Sequence, residues 1–287
     1  MAKEPILQVF PAGGEPEQPV DEPPQTEEIS RVQQMPASIL PTKKRKPILD
    51  LAKAKILIYG PPKIGKSTLA SHFPGAWFLA TEEGLDWLEV YEPTRIASWD
   101  EFLTACVWIE NNKPKTFGDG TPVRTIIIDT VDLLFKMAFD YQCAMFGVAS
   151  LADLEWGKGW QAVSDEFSRV VCKMTRWPYG TVFISHSKEK EIKSAGRKID
   201  RIEPATMTTG YKILNALVDI ILYCYVDEIP IVNENGELTG EIQEQRVIRC
   251  APGNNVVAGD RTGQLPPTIP LDYNELVKYF PETAKHG

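Results

Sequence analysis

Long apolar runs are missing from this chain. No stretch of the 287 residues approaches the ~18 consecutive apolar residues that a helix needs to span a bilayer, so no membrane partner is expected. The opening residues, MAKEPILQVF, lack a charged stretch followed by a long apolar one, so no secretory signal is read there. Cysteine is sparse: Cys106, Cys143, Cys172, Cys224 and Cys250 are scattered, with no C-x-x-C pair. That spacing argues against a disulfide framework and for reduced, buried thiols in a cytoplasmic protein. The three histidines, His72, His186 and His286, are too far apart to make a zinc pattern. An excess of positive charge is also absent. The formal net charge of −8 excludes a broad basic nucleic-acid surface but leaves room for a local basic strip. What remains, 43% hydrophobic and 24% charged residues, is the composition of a globular protein with one large domain or two small ones.

Residues 1–47 differ from the rest. They are dense in proline, carry seven acidic residues and hold one aromatic, Phe10. Such a segment buries too little apolar surface to offset its ordering entropy, so a disordered arm or linker is expected there. One stretch, Ile6-Leu7-Gln8-Val9-Phe10, is apolar enough to dock on a neighbouring surface. The arm ends in the basic tetrad Lys43-Lys44-Arg45-Lys46, which suits either a solvated linker or a contact with a phosphate backbone.

The most informative ten residues are Tyr59–Thr68, YGPPKIGKST. From Gly60 they fit G-x-x-x-x-G-K-[ST], the phosphate-binding loop of NTPases. An apolar run, Lys55–Tyr59, precedes the loop, and a helix-compatible run, Ser67–Phe73, follows it. The chemistry explains the residues. Gly60 and Gly65 permit backbone angles closed to other residues. Pro61 and Pro62 stiffen the approach. Backbone N–H groups from Lys63 and Ile64 through Ser67 turn toward the phosphates, and the start of the following helix, up to Thr68, adds to the anion site. Lys66 is placed to reach the β- and γ-phosphates, and the Ser67 hydroxyl to bind Mg²⁺.

Beyond residue 48, short apolar runs alternate with helical ones. The runs Lys55–Tyr59, Ala76–Ala80, Arg124–Asp129, Thr181–Ser185 and Asp219–Val226 read as strands buried on both faces. Helices are expected from the N-cap Ser98 to about Glu110, after Asp129, and over roughly Lys158–Arg176. Ile229–Val232 and Gln245–Cys250 read as a hairpin around Asn233-Glu234-Asn235-Gly236. The pattern implies an α/β fold with a mainly parallel sheet flanked by helices and a C-terminal hairpin.

A second NTPase element is expected on a strand neighbouring the loop strand. Arg124–Asp129 fits, with Asp129 placed to hold Mg²⁺. Glu82 and Glu83, at the end of a strand read as lying beside the loop strand, are both suited to act as general base. His186, at the end of Thr181–Ser185, is a candidate γ-phosphate sensor. Residues 188–201, with six basic and three acidic side chains, read as a mobile, positively charged loop. Arg261, in the turn Gly259-Asp260-Arg261-Thr262-Gly263, is a candidate finger toward a neighbour's γ-phosphate.

The order of these elements resembles the RecA-like P-loop ATPases. The segments YGPPKIGKSTLA, WFLATEEGLD, TIIIDTVDLL, FISHSKEKE and AGDRTGQLP are similar to a compact bacteriophage branch, the RecA-like single-strand annealing ATPases. The resemblance covers roughly residues 50–280. It implies a RecA-like ATPase domain over 48–287 that hydrolyses ATP with Mg²⁺ and is stimulated by DNA. It further implies an oligomer or filament on single-stranded DNA acting in recombination, with a single-strand-binding protein as a further partner. In that scheme Lys66, Glu82, His186 and Arg261 are catalytic, and His186 stands where RecA has glutamine. DNA would meet Lys193, Arg197, Lys198 and Arg201. The family pattern Thr-Glu-Gly is here Thr81-Glu82-Glu83-Gly84, so either glutamate fits the base. Two other readings use the same loop: a nucleotide or small-molecule kinase, and an ATP-switched partner protein of the helicase-loader type.

Overall fold

The computed structural model describes residues 43–151, 158–194, 197–232 and 238–283. Contacts group the chain into two units, Met1–Pro47 and Ile48–Gly287, and the fold described here is that of the second. The N-terminal arm, apart from its last five residues, lies outside the described residues. So does the turn Asn233–Gly236.

The five buried runs read as strands do form strands. The strands are β1 (Lys55–Gly60), β2 (Ala76–Ala80), β3 (Thr94–Arg95), β4 (Thr125–Asp129), β5 (Gly180–Ser194), β6 (Arg197–Pro204), β7 (Ile220–Val232), β8 (Leu238–Arg249), β9 (Gly259–Asp260) and β10 (Thr268–Pro270). Of these, β3, β6, β9 and β10 are additional to the strands read in the sequence. One sheet runs in the order β10-β8-β7-β1-β5-β4-β2-β3, with β6 on β5 and β9 on β7. From β7 to β3 every pair is parallel, and β8 and β10 continue the sheet antiparallel. All six residues of β1 and all five of β4 are buried. Their side chains alternate between faces with the two-residue period of a strand. Leu57, Tyr59, Ile126 and Ile128 enter one apolar cluster, and Ile56, Ile58 and Ile127 enter the other.

Six helices cover the sheet among the described residues: α1 (Lys66–Ser71), α2 (Trp99–Asn112), α3 (Val131–Phe146), α4 (Lys158–Met174), α5 (Thr208–Leu217) and α6 (Tyr273–Val277). The start of α2 shows why the sequence could be read locally. Ser98 Oγ accepts from Glu101 N at 3.2 Å, and Glu101 Oε2 reaches back to Ala97 N at 2.7 Å, so each side chain satisfies an orphan donor.

Two expectations about neighbours are corrected. The strand ending in Asp129 does not adjoin the loop strand, because β5 lies between β1 and β4. The strand that leads to Glu82 is not beside β1 either, since both β5 and β4 intervene. Sequence order does not encode this crossover; the later strand β5 inserts into the middle of the sheet.

The basic loop is corrected as well. Residues 188–201 are not a loop but the far part of β5 and most of β6, paired antiparallel from Ser187↔Pro204 to Ser194↔Arg197. Charge acts mostly along diagonals, because the facing pairs Lys190↔Arg201 and Glu191↔Asp200 are alike in sign. Lys198 Nζ meets Glu191 at 2.9 Å, and Glu203 takes both Lys190 at 3.5 Å and Lys188 at 3.7 Å. Opposite charges across an antiparallel pair support the ladder.

Candidate active site

The C-terminal ends of β1, β2, β4 and β5 surround a cavity of about 570 Å³ lined by Lys66, Ser67, Glu82, Asp129 and His186. Its floor is the loop between β1 and α1. Gly65 has φ 115°, a left-handed conformation that favours glycine, and Lys63 before it also has positive φ, at 63°. Gly60 is glycine for a different reason than expected. Its φ is not positive; instead a Cβ there would lie 2.3 Å from the Cys224 carbonyl oxygen, so the side chain is excluded by close approach to β7. Ile64 is buried and pins the loop to the core, while Pro62, Lys63 and Thr68 are exposed.

Lys66 is buried, and its Nζ donates to the carbonyls of Gly60 at 3.1 Å and Pro61 at 2.9 Å. Burial pushes its ammonium below the ordinary lysine value, while the nearby Asp129, Asp132 and Glu82 carboxylates oppose that shift. Its Nζ also lies 3.4 Å from His186 Nδ1. An ammonium only donates, so Nδ1 is the acceptor in that contact and Nε2 is left to carry a ring proton. That nitrogen faces Glu82 Oε1 at 3.5 Å.

Ser67 Oγ donates to Asp129 Oδ2 at 2.7 Å. This pair of hard oxygens is what Mg²⁺ takes from a protein when phosphates and water supply the rest of its shell. No group of three or more His, Cys, Asp or Glu suited to a metal occurs among the described residues, consistent with so sparse a donor set. Burial raises the Asp129 pKa, partly offset by the Ser67 hydrogen bond.

The two glutamates separate. Thr81 Oγ1 donates to Thr130 O and accepts from Thr130 N, both at 2.8 Å, which clips the loop after β2 to the loop after β4. Glu82 follows this clip, and its Oε1 accepts from Thr130 Oγ1 at 2.8 Å. Glu83 also lines the cavity, but its carboxylate pairs with Arg95 and its side chain is 80% exposed. The geometry brings Glu82, not Glu83, to Lys66 and His186.

Asp132 was not singled out in the sequence. Its Oδ2 accepts from His186 N and its Oδ1 from Ser185 Oγ, both at 2.7 Å, so it fixes the end of β5 against α3. Burial raises its pKa too. The only signal was a second aspartate three positions after Asp129, in the first turn of the next helix.

Other expected residues lie apart from the cavity. Arg261 follows β9, and its N donates to Asp219 O at 2.9 Å where β7 begins. Its guanidinium pairs with Asp219 at 3.5 Å and is 61% exposed. The phosphate loop leaves the other end of β1, roughly 17 Å away at the strand rise, so Arg261 does not serve the cavity of its own chain. Lys198 is paired with Glu191, and Arg201 Nε is buried without a hydrogen-bond partner. Lys193 and Arg197 are placed by their backbones alone, in the register Lys193↔Lys198 and Ser194↔Arg197.

Loop, hydroxyl–carboxylate pair and the intervening strand β5 together define a P-loop NTPase of RecA-like topology. Residues 52–262 match the AAA domain family, and the chain belongs to that family. It is 27% identical over 135 residues to the SPbeta prophage-derived uncharacterized protein YorG of Bacillus subtilis (strain 168). That match covers 47% of this chain and 41% of the relative, so the chain spans well under half the length of the curated relative it matches. A KaiC-like protein, PH0186, from the hyperthermophilic archaeon Pyrococcus horikoshii OT3 aligns with a TM-score of 0.37 at 11% identity. The alignment covers 69% of this chain and 79% of that one. Among the described residues, no helix is long and apolar enough to cross a membrane.

Proposed function

We propose that this protein is a Mg²⁺-dependent ATPase, stimulated by single-stranded DNA, that assembles on that DNA and acts in recombination by strand annealing. The observation that carries the ATPase reading is the convergence of Lys66, the Ser67–Asp129 pair, Glu82 and His186 on one cavity. Lys66 balances charge on the β- and γ-phosphates, exchanging its loop carbonyls for phosphate oxygens. Glu82 takes the proton of the attacking water and is steadied by Thr130 Oγ1. His186, with its proton on Nε2, donates toward developing negative charge. Mg²⁺, held by Ser67 and Asp129 when bound, neutralises phosphate charge.

The DNA reading has other support. The β5–β6 hairpin extends directly from the strand that carries His186, and residues 188–204 hold six basic against four acidic side chains in a chain of net charge −8. A relative from a prophage supports a phage setting, and with it a host cytoplasm and a single-strand-binding protein as further partner.

The test is steady-state ATP hydrolysis with and without single-stranded DNA, for wild type and Lys66→Ala. The reading expects turnover that rises with DNA and falls at least 10²-fold in the variant, the scale of losing one transition-state charge contact. Hydrolysis in Lys66→Ala near the wild-type rate overturns the ATPase reading. DNA-independent turnover overturns the DNA part alone.

A further inference from the structure

We propose that a second, smaller cavity beside the phosphate loop receives the purine base of the nucleotide, with the Arg246 guanidinium as its stacking surface. The inference rests on the ATPase reading above and extends it to the other end of the ligand.

Two cavities meet at the loop and share Gly65 and Thr68. The larger holds Lys66, Glu82, Asp129 and His186, and so marks the γ-phosphate end. A triphosphate laid along the loop from those groups leaves it past Thr68. There the second cavity begins, about 200 Å³ in volume, walled by Arg246, Tyr273 and His72. None of the groups that serve phosphate transfer lines it.

This wall is built rather than incidental. Leu271 N donates to Arg246 O at 2.9 Å, joining β8 to the segment before α6. Asp272 caps α6 by accepting from Asn274 N at 2.6 Å. The Tyr273 ring packs at 5.4 Å from Phe73 and 6.2 Å from His72. Arg246 itself is exposed, and its side chain has no hydrogen bond or ion pair among the described residues. Its Nη1 lies 3.9 Å from where a Gly65 Cβ would stand. A planar guanidinium beside a nucleotide site, with no ion pair among the described residues to give up, suits the face of a flat aromatic base, which an ammonium does not match.

Trp87 is the competing platform. It lines the rim of the larger cavity but is 94% exposed, so little packing fixes its ring in advance. The backbone of this wall and its Tyr273 ring are fixed in advance, and pre-ordered contacts cost less to use on binding, which favours this cavity over the Trp87 rim.

The experiment compares ATP with inorganic tripolyphosphate, which has the phosphates and no base. Both are titrated calorimetrically with Mg²⁺ into the full chain as wild type, Arg246→Ala, Arg246→Lys and Trp87→Ala. The ratio of the two affinities cancels any general loss of positive charge, and tripolyphosphate binding reports that each variant is folded. The expected result is a fall of about tenfold in the ATP preference for both Arg246 variants, with Trp87→Ala within about twofold of wild type. An unchanged ratio in the Arg246 variants overturns the inference, as does a fall confined to Trp87→Ala. If wild-type protein binds neither ligand, the ATPase reading fails and this one fails with it.

Discussion

Replacing Glu82 by Gln isolates proton acceptance from shape. The amide keeps the side-chain length, and its oxygen still accepts from Thr130 Oγ1, the contact that now measures 2.8 Å. The clip between Thr81 and Thr130 uses no Glu82 atom, so the loop stays where it is. Lys66, Ser67 and Asp129 are untouched, so nucleotide binding should stay within about threefold of wild type. What goes is the lone pair that takes the water's proton. A positioned base contributes ~10²–10⁴ in rate, equivalent to ~3–5 kcal/mol of barrier at 1.36 kcal/mol per decade. Glu83→Gln is the control, because that carboxylate pairs with Arg95 at the surface; it should change kcat by less than about threefold. Single-turnover hydrolysis separates chemistry from product release, and a fluorescent nucleotide gives Kd independently. Loss of hydrolysis in Glu83→Gln with Glu82→Gln still active would refute the assignment, and the loop after β2 would have to reorganise before catalysis. Parallel loss in both Kd and rate for Glu82→Gln would show a structural role instead.

Asp129→Asn should trade function for stability. Burial raises the folded-state pKa of Asp129, so its ionised form is the costly one. That cost is absent below the ordinary aspartate value of about 3.9 and complete above the raised one, so metal-free Asp129→Asn should melt higher than wild type near pH 7. The gain should vanish as pH falls toward the ordinary value, as thermal melts across pH would show. Added Mg²⁺ with nucleotide should stabilise wild type and not the variant. Neutralising Lys193, Arg197, Lys198 and Arg201 together should weaken single-strand binding and flatten its dependence on salt, since each lost phosphate contact removes counterion release; an unchanged salt slope, read by fluorescence anisotropy, would move the DNA site toward Lys43–Lys46. Mixing Arg261→Ala with Lys66→Ala should restore part of the ATPase activity if Arg261 completes a neighbour's site, an effect worth ~10³–10⁵ in other NTPases; absence of complementation would leave Arg261 as the partner of Asp219 in its own chain.

The parts of the site that the sequence made legible are those encoded by local chemistry. The phosphate loop could be read because Gly65 must adopt a left-handed φ and Lys66 and Ser67 must follow it. The cap at Ser98 could be read because its partner, Glu101, is three residues away. What stayed hidden depends on the middle of the sheet. Nothing local says that β5 inserts between β1 and β4, yet that insertion brings His186 to Lys66 across 120 positions. Asp132 was hidden for the same reason, since its partners Ser185 and His186 lie more than fifty residues on. The sequence 188–201 looked like a loop because its charges mask the alternation of a strand. Three of those charges on β5, Lys188, Lys190 and Glu191, find partners on β6, a pairing visible only once the two strands meet.

The sheet also explains how nucleotide and DNA could be felt by one another. Strand β1 is flanked by β5 and β7, and both continue beyond the level where β1 ends. On one side β5 goes on into the β5–β6 hairpin, where 188–204 carries six basic and four acidic residues. On the other, β7 goes on into the β7–β8 hairpin, where 227–244 carries six acidic residues and no basic one. In the proposed DNA reading, an anionic polymer crossing this edge would be repelled on the β7 side and admitted on the β5 side. His186 pairs with Gly60 in the sheet, and the next residue, Ser187, already pairs with Pro204 in the hairpin. A hydrogen-bonded hairpin moves as a unit more readily than a mobile loop does. Tilting it must displace Ser185 and His186, and both are tied to Asp132. Under the proposed DNA stimulation, coupling would run through this continuous strand and Asp132, so Asp132→Asn should uncouple DNA stimulation from basal turnover before it abolishes either.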